Sequence, residues 1–215
     1  MTYLIGVDDA GKGPVLGPMI LAGVLIEKNR EHELKELGAK DSKLLNDKIR
    51  NKLGNEIKFK YIYHTEKSLP EEIDSCKNLN SLEAQKVAII INKLAENIEG
   101  EIIAIVDCPS PNIKAWSEYL ATFIIKKTIK IQAEHKADFN HPVVSAASII
   151  AKEQREEEIA KLKQDLQVDF GSGYSSDPKT IDFIQKNHSD PLFAKIIRHS
   201  WQTVQRLKVK QETLF

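Results

Sequence analysis

The sequence predicts an α/β fold: a mixed sheet with helices packed on it and a helical C-terminal appendage. Three observations lead there. Short apolar runs of strand length crowd the first 133 residues, an amphipathic helix interrupts them at 81–98, and helical patterns take over from Pro142 onward. With no internal repeat, low-complexity stretch or Gly/Ser linker among the 215 residues, one continuous domain is the expectation.

The elements follow in chain order. Leu4 to Asp8 is a short apolar strand that runs into a Gly/Pro-rich turn, and Met19 to Ile26 is a second apolar run. Asp41 to Leu53 reads as a charged helix opened by an Asp cap, and Ile57 to His64 alternates as a strand should. In the helix at 81–98, Ala84, Val87, Ala88, Ile91, Ala95 and Ile98 share one face. Glu101 to Val106 is an apolar strand ending in Asp107, and Phe123 to Ala133 has strand composition. Pro142 suits the first turn of a long helix. Its first half, Val143 to Ala151, is apolar nearly all round and should be buried, while Ile159, Leu162 and Leu166 stay in phase in the second half. Phe170 to Pro178 is a loop by composition, and helices are expected at Lys179 to Lys186 and Pro191 to Lys210.

Composition narrows the function classes. Hydrophobic residues at 41% and charged residues at 29% suit a globular chain and exclude a disordered tail protein. No apolar run approaches the ~20 residues of a membrane span, and the N-terminus lacks the basic and small-residue features of a signal peptide. The two cysteines, Cys76 and Cys108, are too few for a disulfide framework, so a reducing cytoplasm is the expected home. Since 31 basic residues balance 31 acidic ones, wholesale electrostatic binding of nucleic acid is not indicated, although a local basic face is open. Lys195 to Lys210, with five Lys/Arg and no acid, is the candidate for such a face.

The chemistry concentrates where apolar strands end in acids. Asp8-Asp9-Ala10-Gly11-Lys12-Gly13-Pro14 sets two carboxylates against glycines that let the chain turn and let a phosphate or sugar approach backbone N–H groups. By itself this cluster is better explained as a polar strand-to-turn junction. Asp107 also ends an apolar strand, where a carboxylate does nothing for the strand, and Asp138 lies between the last strand and the long helix. Both have simpler accounts as turn or loop residues. Carboxylates converging from several strand ends are what hard divalent cations require, and two such ions can drive phosphodiester hydrolysis.

These blocks resemble ribonuclease HII, the type 2 ribonuclease H family. Gly6 to Pro18 looks like the family's N-terminal signature. The likeness continues in Asp41-Ser42-Lys43-Leu44, Val106-Asp107, Glu134 to Asp138, Pro142 to Lys152 and Asp169 to Tyr174, in the family's order and in a style close to archaeal members. The resemblance implies a ribonuclease H-like fold with a mixed five-stranded sheet, residues 1–180 as the catalytic domain and 181–215 as a helical region and tail packed on it. It implies a four-carboxylate site of Asp8, Asp9, Asp107 and Asp138 that uses two ions, Mg²⁺ or Mn²⁺. It further implies hydrolysis of the RNA strand of RNA–DNA hybrids, and nicking 5′ of ribonucleotides embedded in duplex DNA, with 5′-phosphate and 3′-hydroxyl ends.

In the same family pattern, Gly11-Lys12-Gly13 is the turn whose backbone reads the ribose 2′-OH, and Tyr174 packs on the deoxyribose after the junction. Apart from the resemblance, Lys43 and Lys152 are candidates to hold phosphate, with a solvated surface lysine as the equal alternative at each. The tail Gln211 to Phe215 resembles the opening of a sliding-clamp-binding peptide, and the enzyme is expected to act as a monomer. Two positions depart from the pattern: the family normally has Glu at Asp9 and Arg at Lys12. Two rival readings stand beside this one: another nuclease of the same fold, and a hybrid-binding protein whose metal site the Asp9 change has impaired.

Overall fold

The structure, a computed structural model, describes residues 1–38 and 47–212. In chain order its elements are β1 Thr2–Ala10, β2 Met19–Glu27, a 3₁₀ turn Lys28–Arg30, α1 Glu31–Glu36, α2 Asp47–Lys60, β3 Ile62–Ser68, α3 Pro70–Ser75 and α4 Leu79–Ala95. They continue with β4 Glu101–Asp107, α5 Ile113–Thr122, β5 Lys130–Glu134, α6 Ala137–Asn140, α7 Pro142–Asp165, α8 Pro178–Asn187, α9 Pro191–Ala194 and α10 Gln202–Glu212. No described helix is long and apolar enough to cross a membrane.

The strands form one mixed five-stranded sheet in the order β3-β2-β1-β4-β5. β1 and β2 are antiparallel, with Asp8 opposite Ala22, whereas β1–β4 and β4–β5 are parallel. The expectation of a mixed sheet with flanking helices therefore holds. The central strands read as continuous apolar runs because they are buried on both faces.

The residues fall into two compact units. The first comprises residues 1–10, 20–66 and 77–154. Its core joins Leu4, Ile20, Val24 and Ile105 of the sheet to Val143, Val144, Ala147 and Ile150 of α7 and to Leu53, Ile57 and Tyr61. Helix α7 comes close to the sheet at Gly6, where an added Cβ would lie 2.4 Å from the backbone carbonyl of Val143. The second unit comprises residues 11–19, 67–76 and 155–215, with a core of Val15, Leu16, Phe170, Phe183, Ile184, Ile197 and Val204.

Several stretches differ from the sequence expectation. Residues 57–60 belong to α2 and the strand starts only at Ile62. Leu53, Ile57 and Tyr61 are buried at intervals of four, a helical stripe, while Phe59, the next residue of the apparent alternation, is 90% exposed. Residues 123–129 are not a strand either. The Asn92 side chain takes their backbone groups, donating to Phe123 O and accepting from Ile125 N at 2.9 Å each. Lys126 Nζ turns back onto the carbonyls of Ala95, Glu96 and Ile98 at and just past the end of α4.

Pro191 to Lys210 is two helices rather than one. Arg198 N donates to Val15 O at 2.9 Å and the Asp74 carboxylate accepts from His199 N and Ser200 N, so this backbone is engaged outside any helix. Finally, α5 was not expected. Its Asn112 side chain caps it by accepting from Ala115 N at 3.1 Å, and Trp116 and Leu120 bury its inner face.

If the approach at Gly6 sets the helix–sheet spacing, Gly6→Ala should lower stability by about 1–3 kcal/mol and Tm by several degrees. Thermal unfolding followed by circular dichroism measures this, and an unchanged Tm would remove Gly6 from that role.

Candidate active site

Two of the predicted carboxylates are neighbours through strand register. β1 and β4 run parallel with Val7 opposite Val106, so Asp8 and Asp107 come next, side by side at the same ends of their strands. Asp8 is buried, at 7% exposure, and one of its oxygens accepts the Asp9 N–H at 2.8 Å. Its carboxyl is pushed well above the ordinary aspartate range, first by burial and then by the negative charges of Asp9 and Asp107. The Ser148 hydroxyl on α7 works the other way.

Asp107 does a second job. Its Oδ1 accepts the Ala137 N–H at 2.9 Å and so fixes the start of α6, the short helix that carries the buried Asp138. The chain reaches that helix through Lys136 in the left-handed region, at φ 58°. The two histidines flanking Asp138 are occupied nearby: His135 Nδ1 meets Cys108 O at 3.0 Å, and His141 pairs with Glu134.

Among the described residues, no three His, Cys, Asp or Glu side chains stand close enough to form a ready ligand group for a metal. The donor set nevertheless fits a hard divalent cation. It is all carboxylate oxygen, and like charge accumulates around the buried Asp8, which a cation would relieve.

Gly11, Lys12, Gly13 and Tyr174 lie in the second unit. Gly11 has φ 83°, and a Cβ there would lie 2.3 Å from Arg155 Cδ and Nε, so both backbone and neighbour demand glycine. Arg155 is 7% exposed, its guanidinium sits 5.1 Å over the Tyr174 ring, and burial depresses its pKa. Its Nε and Nη2 are buried with no hydrogen-bond partner among the described residues. Tyr174 itself keeps 40% of its surface exposed.

The loop before Tyr174 is tied down. Thr180 Oγ1 donates to Phe170 O and accepts from Gly173 N, and Gly173 O accepts from Val15 N and Leu16 N. Lys43 and the surrounding Asp41 to Leu44 block lie outside the described residues, as do the last three residues of the Gln211 to Phe215 tail.

Sequence reasoning missed Arg155 and misplaced Arg198. Arg155 lies four residues before Ile159, on the stripe that Ile159 and Leu162 continue, and that phase was the available signal. Arg198 belongs to the basic stretch expected on the surface, yet it is fully buried.

Comparison with known proteins decides the family. The ribonuclease HII family model matches residues 5–204. The chain belongs to the ribonuclease HII family. It is 40% identical over 219 residues to ribonuclease HII of Methanosarcina acetivorans, covering 97% of each chain. Ribonuclease H2 of Pyrococcus horikoshii superposes with a TM-score of 0.88 at 35% identity, over 98% of this chain and 99% of that one. The ribonuclease HII solved in complex with PCNA from Archaeoglobus fulgidus gives 0.82 at 37% identity, over 93% and 95%. The ribonuclease H-like fold expected from the sequence is thereby established, and with it the enzyme class.

The charge on Asp8 has a measurable consequence for this ribonuclease HII. Its raised folded-state pKa means that protonation favours the fold. That contribution is complete below the unfolded-state pKa and is lost as pH rises through the folded value, so keeping this carboxyl out of water costs stability at neutral pH, where the unfolded chain holds it ionised. With chelator present, Asp8→Asn should melt higher than the parent at neutral pH. The difference should shrink toward acid pH, and equal melting at neutral pH would contradict the assignment.

Proposed function

We propose that this ribonuclease HII hydrolyses the RNA strand of RNA–DNA hybrids and nicks duplex DNA 5′ of embedded ribonucleotides, leaving 5′-phosphate and 3′-hydroxyl ends. One observation carries the reading: a family match over residues 5–204, in a chain whose Asp8 and Asp107 share neighbouring strand ends. Asp8, Asp9, Asp107 and Asp138 would hold the metal, with Asp107 also fixing the α6 backbone that presents Asp138. Two divalent ions there, Mg²⁺ or Mn²⁺, would supply water activation and stabilisation of the departing 3′ oxygen.

The chain's own residues do the rest. Backbone groups of Gly11-Lys12-Gly13 contact the ribose 2′-OH, the group that distinguishes RNA from DNA at one nucleotide. The half-exposed Tyr174 ring, held from below by Arg155, packs on the neighbouring deoxyribose. Lys12 and Lys43 meet phosphates as point charges; at Lys12 this replaces the bidentate fork an arginine would offer. A sliding clamp is the proposed partner of the Gln211 to Phe215 tail, a reading supported by the Archaeoglobus fulgidus relative solved with PCNA.

The test is cleavage of four duplexes: all DNA, all RNA, RNA–DNA hybrid, and DNA with one ribonucleotide. The last two should be cut and the first two spared. Asp107→Asn and Asp138→Asn should each lose at least about 100-fold in rate, the scale of removing a charge-stabilising group, while still binding. Near-normal cleavage by either at saturating Mg²⁺ would falsify its role. Binding by the parent without metal-dependent cleavage would instead support the hybrid-binding rival.

Asp9 gives a sharper check. Its side chain is one methylene shorter than the glutamate the family normally carries. Mg²⁺ demands near-ideal octahedral geometry, whereas Mn²⁺ accepts a wider range of ligand arrangements. The parent should therefore favour Mn²⁺, Asp9→Glu should raise the Mg²⁺-supported rate, and Asp9→Asn should fall below both. If Asp9→Asn matches the parent in both metals, Asp9 is a turn residue.

A further inference from the structure

Arg198 is a fully buried arginine spent on backbone. Its Nη2 donates to Gly11 O at 2.6 Å, Nη1 to Lys12 O at 2.8 Å and Nε to Gly17 O at 3.0 Å. Trp201 completes the arrangement. Its ring lies 5.1 Å from the Arg198 guanidinium, and its Nε1 donates to Gly13 O at 3.3 Å. Three consecutive carbonyls, of Gly11, Lys12 and Gly13, are thus held by two side chains from one short segment.

Peptide geometry converts this into a statement about donors. Among the described residues no peptide bond is cis, and across a trans peptide the carbonyl and N–H point in opposite directions. With Gly11 O and Lys12 O turned to the guanidinium, the N–H groups of Lys12 and Gly13 face away from Arg198, both to the same side. The next residue, Pro14, has no N–H, so the donor pair ends there. A buried guanidinium making charge-assisted bonds is a firm anchor, and a donor pair fixed beforehand loses little ordering entropy when it binds.

We infer that Arg198 and Trp201 are positioning residues for 2′-OH recognition: by gripping the carbonyl side of the Gly11-Lys12-Gly13 turn, they preset its N–H groups toward the ribose. This rests on the reading of that turn as the ribose-contacting element. Arg198 and Trp201 touch no substrate themselves. They govern how strongly a ribose is preferred over a sugar whose 2′ substituent accepts hydrogen bonds poorly.

The test compares the full-length parent, Arg198→Lys and Trp201→Phe. Lysine keeps the charge but cannot bridge three carbonyls with a planar fork, and phenylalanine keeps a ring over Arg198 while losing the bond to Gly13 O. Single-turnover rates are measured on one DNA duplex carrying either a ribonucleotide or its 2′-deoxy-2′-fluoro analogue at the same position, with Tm recorded for each protein. The ribo-to-fluoro ratio should fall about tenfold in Arg198→Lys, as expected for losing roughly one well-placed hydrogen bond, and a few-fold in Trp201→Phe.

A purely structural role would lower both rates together and leave the ratio at the parent's value, and that result overturns the inference. If Arg198→Lys does not fold, the ratio for Trp201→Phe decides. If the parent itself cuts both duplexes equally, the ribose-contact reading of the turn fails first and the inference falls with it.

Discussion

Asp8 is a carboxyl kept out of water beside two other acids, and the first unit must hold it there. Burial and the charges of Asp9 and Asp107 all disfavour its ionised form. What holds it there is packing that leaves no choice: β1 is pinned antiparallel to β2 and parallel to β4, and α7 presses on β1 at Gly6. The Asp9 N–H and the Ser148 hydroxyl offset part of the penalty. A site that would bind a cation is usually expensive to fold without one, and the stability comes from the apolar core behind it.

The features legible in the sequence were those with a long, uniform pattern. β1, β2, β4, α4 and α7 are continuous apolar or amphipathic runs, and the structure places them close to where the patterns do. The stretches that misled are those whose backbone bonds go to distant side chains. Residues 123–129 look like a strand until Asn92 is seen to take the backbone groups of Phe123 and Ile125, and 196–200 look helical until Val15 and Asp74 do the same there. A local window holds neither partner. The alternation at 57–64 failed for another reason: Ile57 and Tyr61 satisfy both a two-residue and a four-residue period, and only the exposure of Phe59 separates them.

At the candidate site the same divide recurs. Asp8, Asp9 and Asp107 stood out because an acid ending an apolar strand has no local purpose, and the register of β1 and β4 does bring such ends together. The arginines were hidden by their own chemistry. Charge counting treats Arg198 and Arg155 as solvated, yet one is surrounded by carbonyls and an indole and the other lies under a tyrosine ring. A guanidinium is more weakly hydrated than an ammonium and can bond in a plane while stacking on its faces, so it is the cation that tolerates this. A lysine in either place would not.

The proposed chemistry asks for two electrostatic characters that conflict. Gathering carboxylates for a cation makes a region that repels phosphate, while recognising a hydroxyl requires donors that neither add charge nor compete for the metal. Backbone N–H groups meet the second demand. They are neutral, they cannot move off on a flexible stem, and their direction is set wherever the opposite carbonyl is held. That makes the buried position of Arg198 intelligible: its charge is spent on carbonyls in the interior rather than displayed to the duplex. A chain with 31 basic and 31 acidic residues can then tell RNA from DNA without a strongly basic surface, because the distinction lies in one hydroxyl and not in the phosphates both polymers share.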